Sequence, residues 1–155
     1  MEDLEKRLDG LINFDTIGKA LTDATLIVER SAKQKAPKGT ISQSITSMVN
    51  GLIGTVYTPV EYAPYVEYGT GKFSTHPQGG RKELPWVYVE GSTKKSQKKT
   101  IYTDASARKM VAIMREQGLD AHMTYGQEPH PFMRPAIDEN REKIIEKLKE
   151  GLLKK

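Results

Sequence analysis

The spacing of apolar positions changes several times along this chain, and each change marks an element. Residues 2–12 carry Leu4, Leu8, Leu11 and Ile12 mostly three or four apart, which predicts a turn or two of amphipathic helix before Asn13-Phe14-Asp15 interrupts. Asp15 or Thr16 then suits the N-cap of a long helix running to about Lys35. Along it Ile17, Leu21, Ala24, Val28 and Ala32 share a face widened by Leu26 and Ile27, and Lys19, Asp23, Arg30 and Lys33 point away. Ala36-Pro37-Lys38-Gly39 ends it, because proline disfavours a helical residue before it and glycine permits a turn. From Ile41 the pattern predicts strands over 42–49 and 52–58 around Asn50-Gly51, with Ile41, Ile45 and Val49 on one face and Pro59 as the stop.

The next stretch, YAPYVEYGTGKF at 62–73, concentrates three of the seven tyrosines and two glycines in twelve residues. It predicts a short helical turn that buries Tyr65, Val66 and Tyr68, with Pro64 in the first turn and Gly69 as a left-handed stop. Lys72 to Lys82 reads as an exposed loop. Residues 84–89 predict a third strand, and Thr100-Ile101-Tyr102 beyond a polar loop is expected to pair back with it. Thr103 or Asp104 caps a helix with Ala107, Val111 and Met114 on one face and Gly118 past its end. A strand at 119–125, a rigid turn to Pro131 and a helix over 132–154 complete the chain. The last helix carries an apolar stripe of Ile137, Ile144, Ile145, Leu148 and Leu152. This order implies an α+β fold: a small antiparallel sheet with a long N-terminal helix and a C-terminal helix packed on it, in a single domain over 1–155.

Composition narrows the function classes. The hydrophobic fraction of 37% against 28% charged is lean for a self-sufficient core, so part of the stability is expected from neighbours. No cysteine means no disulfide and no thiolate chemistry, and no run approaches the length of a membrane span. The acidic start, MEDLEKRLDG, is unlike a signal peptide.

A net charge of +4 names no partner by itself. His76, His122 and His130 lack the close helical spacing of a zinc pair, no serine sits in G-x-S-x-G, and Gly69-Thr70-Gly71-Lys72 lacks the leading glycine and the hydroxyl of a phosphate loop. The acids Asp138, Glu139, Glu142 and Glu146 lie among Arg141, Lys143 and Lys147, where pairing is the ordinary outcome. No catalytic centre, metal or cofactor is therefore expected. Lys94, Lys95, Lys98 and Lys99 form a basic loop suited to neutralising phosphates, but no aromatics are interleaved for base stacking, and a solvated loop is the plainer reading.

Three pieces together carry a resemblance: AKQKAPKGT closing the first helix, VEYAPYVEYGTGKF after the hairpin, and QEPHPFMRPAIDENREKI entering the last helix. The chain resembles the head-tail joining, or tail-completion, family of tailed bacteriophages and prophages over about 31–73 and 125–146. Segment 84–125 departs from the shorter members and reads as an insertion. The resemblance implies a non-enzymatic structural protein made in the bacterial host cytoplasm and placed in the virion neck or tail. It would form a ring, commonly of six copies, between head connector and tail tube, with DNA passing and no membrane or cofactor.

By that resemblance the structural and contact residues are Tyr62, Pro64, Tyr65, Glu67, Tyr68, Gly69, Thr70, Gly71, Pro131, Phe132, Arg134 and Pro135. The tyrosines and Gly69 are expected in a small buried knot, Phe132 and Pro135 at the entry of the last helix, and Glu67 as a partner for Arg134. Loops 70–83 and 91–100 are expected to order on assembly. The rival readings are a nucleic-acid-binding protein using the lysine loop and a small hydrolase using the histidines.

Overall fold

The computed structural model describes residues 14–76, 85–91 and 101–153. The turns expected over 2–12, the strand start at Leu84 and the lysines at 94, 95, 98 and 99 lie outside the described residues. In chain order the elements are α1 Phe14–Lys35, α2 Thr40–Ser44, β1 Thr46–Asn50, β2 Ile53–Tyr57, α3 Ala63–Tyr68, β3 Trp86–Val89, α4 Asp104–Glu116, β4 Ala121–Thr124, α5 Met133–Asp138 and α6 Arg141–Leu153. The fold is α+β. The described strands form two separate antiparallel pairs, β1–β2 and β3–β4, where the sequence pattern predicts one small sheet. Contacts divide the chain into two compact units, Met1–Ala63 with Pro131–Lys155, and Pro64–His130.

The first unit is built on α1, against which α2, both strands of the β1–β2 hairpin, α5 and α6 pack. Its buried face is Ala20, Ala24, Thr25, Val28 and Ala32, of which Ala24, Val28 and Ala32 are as the helical spacing predicts while Ile17 and Leu21 are only half-buried, and small side chains there let neighbours come close. Gly151 of α6 sits directly over Ala20: a β-carbon at position 151 would stand 2.3 Å from that of Ala20. Gly54 of β2 is seated in the same way, 2.3 Å from Thr25 Cγ2 for an added β-carbon. Glu29 ties the helix to the hairpin, accepting from Lys33 Nζ at 2.6 Å and from the Ser47 hydroxyl on β1.

Two expectations for this unit are corrected. Residues 40–44 are helical, because Ile41 and Ile45, four apart, satisfy a helix turn as well as one strand face. The backbone resolves the choice: the Gly39 carbonyl accepts from Gln43 N at 3.1 Å, the Ile41 carbonyl accepts from Ile45 N at 3.2 Å, and both isoleucines are buried. The strands accordingly shorten to 46–50 and 53–57. Asn50 pairs with Ile53, so the turn centres on Gly51-Leu52. Gly51 takes φ +58 as the first central residue, the position a type II′ turn gives to glycine.

The last helix is not continuous either. Asn140 breaks it, donating from Nδ2 to the Ala136 carbonyl at 2.9 Å and accepting from Ile144 N at 2.9 Å. Ile144, Leu148 and Gly151 face inward on α6, but Ile137, Ile145 and Leu152 are exposed, so the predicted stripe is split between two faces.

The second unit pairs β3 with β4, in register Trp86↔Thr124 through Val89↔Ala121, and lays α4 on both strands. Residues 101–102 form no strand, so β4 takes the place predicted for 100–102 as partner of β3. Thr103 caps α4, its hydroxyl accepting from Ser106 N at 3.3 Å, and Ala107 and Val111 are buried as predicted. Arg115 Nε donates to the Ala121 carbonyl at 2.9 Å and fixes the end of the helix to the sheet. No described helix is long and apolar enough to cross a membrane.

Candidate functional site

The glycine-rich stretch after α3 is a backbone seam. Thr70 N donates to the Gln127 carbonyl at 2.8 Å, Gln127 N returns a bond to Thr70 Oγ1 at 2.9 Å, and Lys72 N donates to the Tyr125 carbonyl at 2.8 Å. His130 N reaches the Val66 carbonyl at 2.7 Å. The two stretches run so close that both must lack side chains at the crossing. A β-carbon at Gly71 (φ +56) would stand 2.2 Å from the Tyr125 carbonyl oxygen, and one at Gly126 (φ +126) 2.1 Å from that of Thr70. Gly69 (φ +72) meets Gln127 O and Pro129 N at 2.8 Å in the same sense.

The seam joins two motifs singled out in the sequence, GTG and QEPHP. It also disposes of the phosphate-loop reading, since a phosphate cradle needs free amides and those of Thr70, Lys72, Phe73 and Ser74 are all donated to carbonyls. Thr75 N also bonds the Tyr68 carbonyl at 2.8 Å. Residues 70–75 are therefore already held, contrary to the expectation that the whole of 70–83 orders on assembly.

The aromatic knot is only partly as expected. Val66, Glu67 and Gly69 are buried, and Tyr68 is half-buried with its ring edge-to-face on His76 at 5.0 Å. Tyr62 and Tyr65 are instead exposed: Tyr62 precedes the helix, and Tyr65, 61% exposed, is on the side that a helix of six residues turns outward. Phe132 is the largest fully buried side chain among the described residues and precedes α5 as its N-cap, and Pro135 lies in the following turn. Pro131 and Arg134 are exposed.

The β1–β2 hairpin offers the other surface, which sequence reasoning passed over. Its register puts Ser47, Val49, Gly54 and Val56 on one face and Thr46, Met48, Asn50, Ile53, Thr55 and Tyr57 on the other. The first face lies toward α1. The second is open: Met48 is 49% exposed, Ile53 69% and Tyr57 42%. Both strands also pair on one side only among the described residues, which leaves two edges with unspent backbone groups. The signal was present in the alternation of 46–57, but the expected strands, 42–49 and 52–58, centred the turn one residue early and assigned no outward face to the second strand.

A hollow lined by Glu142, Ile145, Glu146, Lys149, Glu150 and Leu153, all from a single helix, is surface relief on α6.

Residues 1–69 match a protein-family model, HK97-gp10-like, described as "Bacteriophage HK97-gp10, putative tail-component". The match takes in α1, the hairpin and the aromatic segment as far as Gly69, and over those residues it bears out the resemblance to a phage tail family. It indicates a phage tail component. Comparison with curated proteins and with solved structures gives no match.

Proposed function

We propose that this chain is a non-enzymatic structural component of a tailed phage or prophage, forming a ring of six copies that links the head connector to the tail tube. The observation that carries the reading is the outward face of the hairpin, on a segment inside the family match. Met48, Ile53 and Tyr57 spend apolar area on solvent beside two open strand edges, on a hairpin anchored rigidly to α1. Burying a side chain of this size is worth roughly 1.5–3 kcal/mol, so a neighbour covering all three gains appreciably. A preformed hairpin also loses little conformational freedom when it docks.

The small, alanine-rich core supports the same reading, because such a core leaves stability to be supplied by contacts between copies. In the assembled particle the chain would stand at the virion neck or tail, and in the host cytoplasm before that. Its partners would be copies of itself, the connector and the tube.

The test is the double variant Met48→Lys, Ile53→Lys. Both positions are exposed, so the variant is expected to keep its melting temperature within a few degrees. Its oligomers, followed by native mass spectrometry in the presence of connector-bearing heads, are expected to be lost. A variant that assembles as the parent does would refute the role of this face.

A further inference from the structure

We propose that Glu90, Asp120 and His122 form a divalent-cation site, suited to zinc, that clips one end of the paired strands β3 and β4. The strand register builds it. Tyr88 pairs with His122 and Val89 with Ala121, and Glu90 N continues the ladder to the Asp120 carbonyl at 2.8 Å. Alternation then places residues 88 and 90 of one strand and 120 and 122 of the other on a common face, with buried Ala121 on the opposite one. Tyr88 stacks on the imidazole at 5.4 Å and 26°, which sets the plane of the ring.

One donor atom from each of the three residues converges on a common point. His122 Nε2 lies 2.9 Å from Asp120 Oδ1 and 3.6 Å from Glu90 Oε2, and one donor atom from each residue falls within 4.8 Å of the others. Nε2 is itself shielded from solvent yet makes no hydrogen bond, so at 2.9 Å the carboxylate oxygen lies off the line an N–H would take. Ligands about 2.1 Å from a tetrahedral ion stand roughly 3.4 Å apart, so the Glu90 oxygen is already near a ligand's separation from Nε2, and the Asp120 oxygen would draw back by about half an ångström on binding.

The charge balance agrees, since two carboxylates and a neutral imidazole suit a doubly charged ion. Imidazole favours zinc over magnesium or calcium, which prefer oxygen alone. Glu90 and Asp120 are exposed, so the ion would keep water in its remaining positions and exchange with solvent.

The full chain, stripped with chelator, should be titrated with zinc chloride by calorimetry and melted with and without it. One saturable equivalent and a higher melting temperature are expected. His122→Ala, and independently Glu90→Gln at an exposed position that leaves the fold intact, are expected to weaken binding by more than about tenfold. His76→Ala is expected to bind as the parent does. The proposal is overturned by the lack of a saturable equivalent, by loss in His76→Ala with retention in His122→Ala, or by equal stabilisation from magnesium. Cobalt substituted for zinc gives a second readout: a visible absorption band is expected in the parent chain, and its persistence in His122→Ala would contradict the assignment.

Discussion

At Gly71 an added methyl would meet the carbonyl of Tyr125, and the backbone already has the left-handed φ of +56. Gly71→Ala therefore carries both a conformational and a steric penalty, on the order of 2–4 kcal/mol together, readable as a fall in the denaturant midpoint. Gly118, with φ +78 and open space around it, isolates the first penalty, and Gly118→Ala is expected to cost only about 1 kcal/mol. Equal costs at the two sites would mean that the seam has room to give.

Glu29 supplies the pH dependence. The Lys33 ammonium, then the Ser47 hydroxyl, hold its carboxyl below the ordinary carboxylate range. A group depressed on folding stabilises the fold above its unfolded value and loses that contribution as pH falls through the folded one. Ser47→Ala should then cost about 1.5 kcal/mol at neutral pH. Little of that cost should remain well below ~pH 4, as chemical denaturation at the two pH values will report. The glycine motif was legible in the sequence as a turn, but its partner at 125–127 was not, because backbone hydrogen bonds between distant stretches leave no side-chain signature.

Among the elements, α1 and α4 were legible almost to their ends, since each combines a long apolar period with a stop in Pro37 or Gly118; Thr103 caps α4 as expected, whereas Asp15 and Thr16, expected as caps of α1, lie inside that helix. The short elements were not. Ile41 and Ile45 fit either period, and Asn50-Gly51 signals a tight turn without fixing which residue takes the first central place. α6 adds a feature that no periodicity reveals, a glycine used for approach. Gly151→Ala would raise helix propensity in an isolated peptide, yet here it drives a methyl into Ala20. Net destabilisation of about 1–3 kcal/mol is expected in thermal unfolding. A stabilised variant would show that α6 does not lie so close to α1.

For the molecule as a whole, α+β architecture followed from the order of elements, but the division of the strands into two pairs did not. A third strand in sequence is naturally assigned to the existing sheet, whereas here β3 finds β4 some thirty residues on and pairs with it inside the 64–130 unit. The family match ends at Gly69, close to the start of that unit. The outward hairpin face lies within the matched residues, where a property common to such tail components would be carried. The most direct measurement is the copy number and placement of this chain on connector-bearing heads, counted by cryo-electron microscopy of the reconstituted complex. A closed ring of six copies whose neighbours cover Met48, Ile53 and Tyr57 is the predicted result. Heads that bind no copies, or rings in which that face stays in solvent, would contradict it.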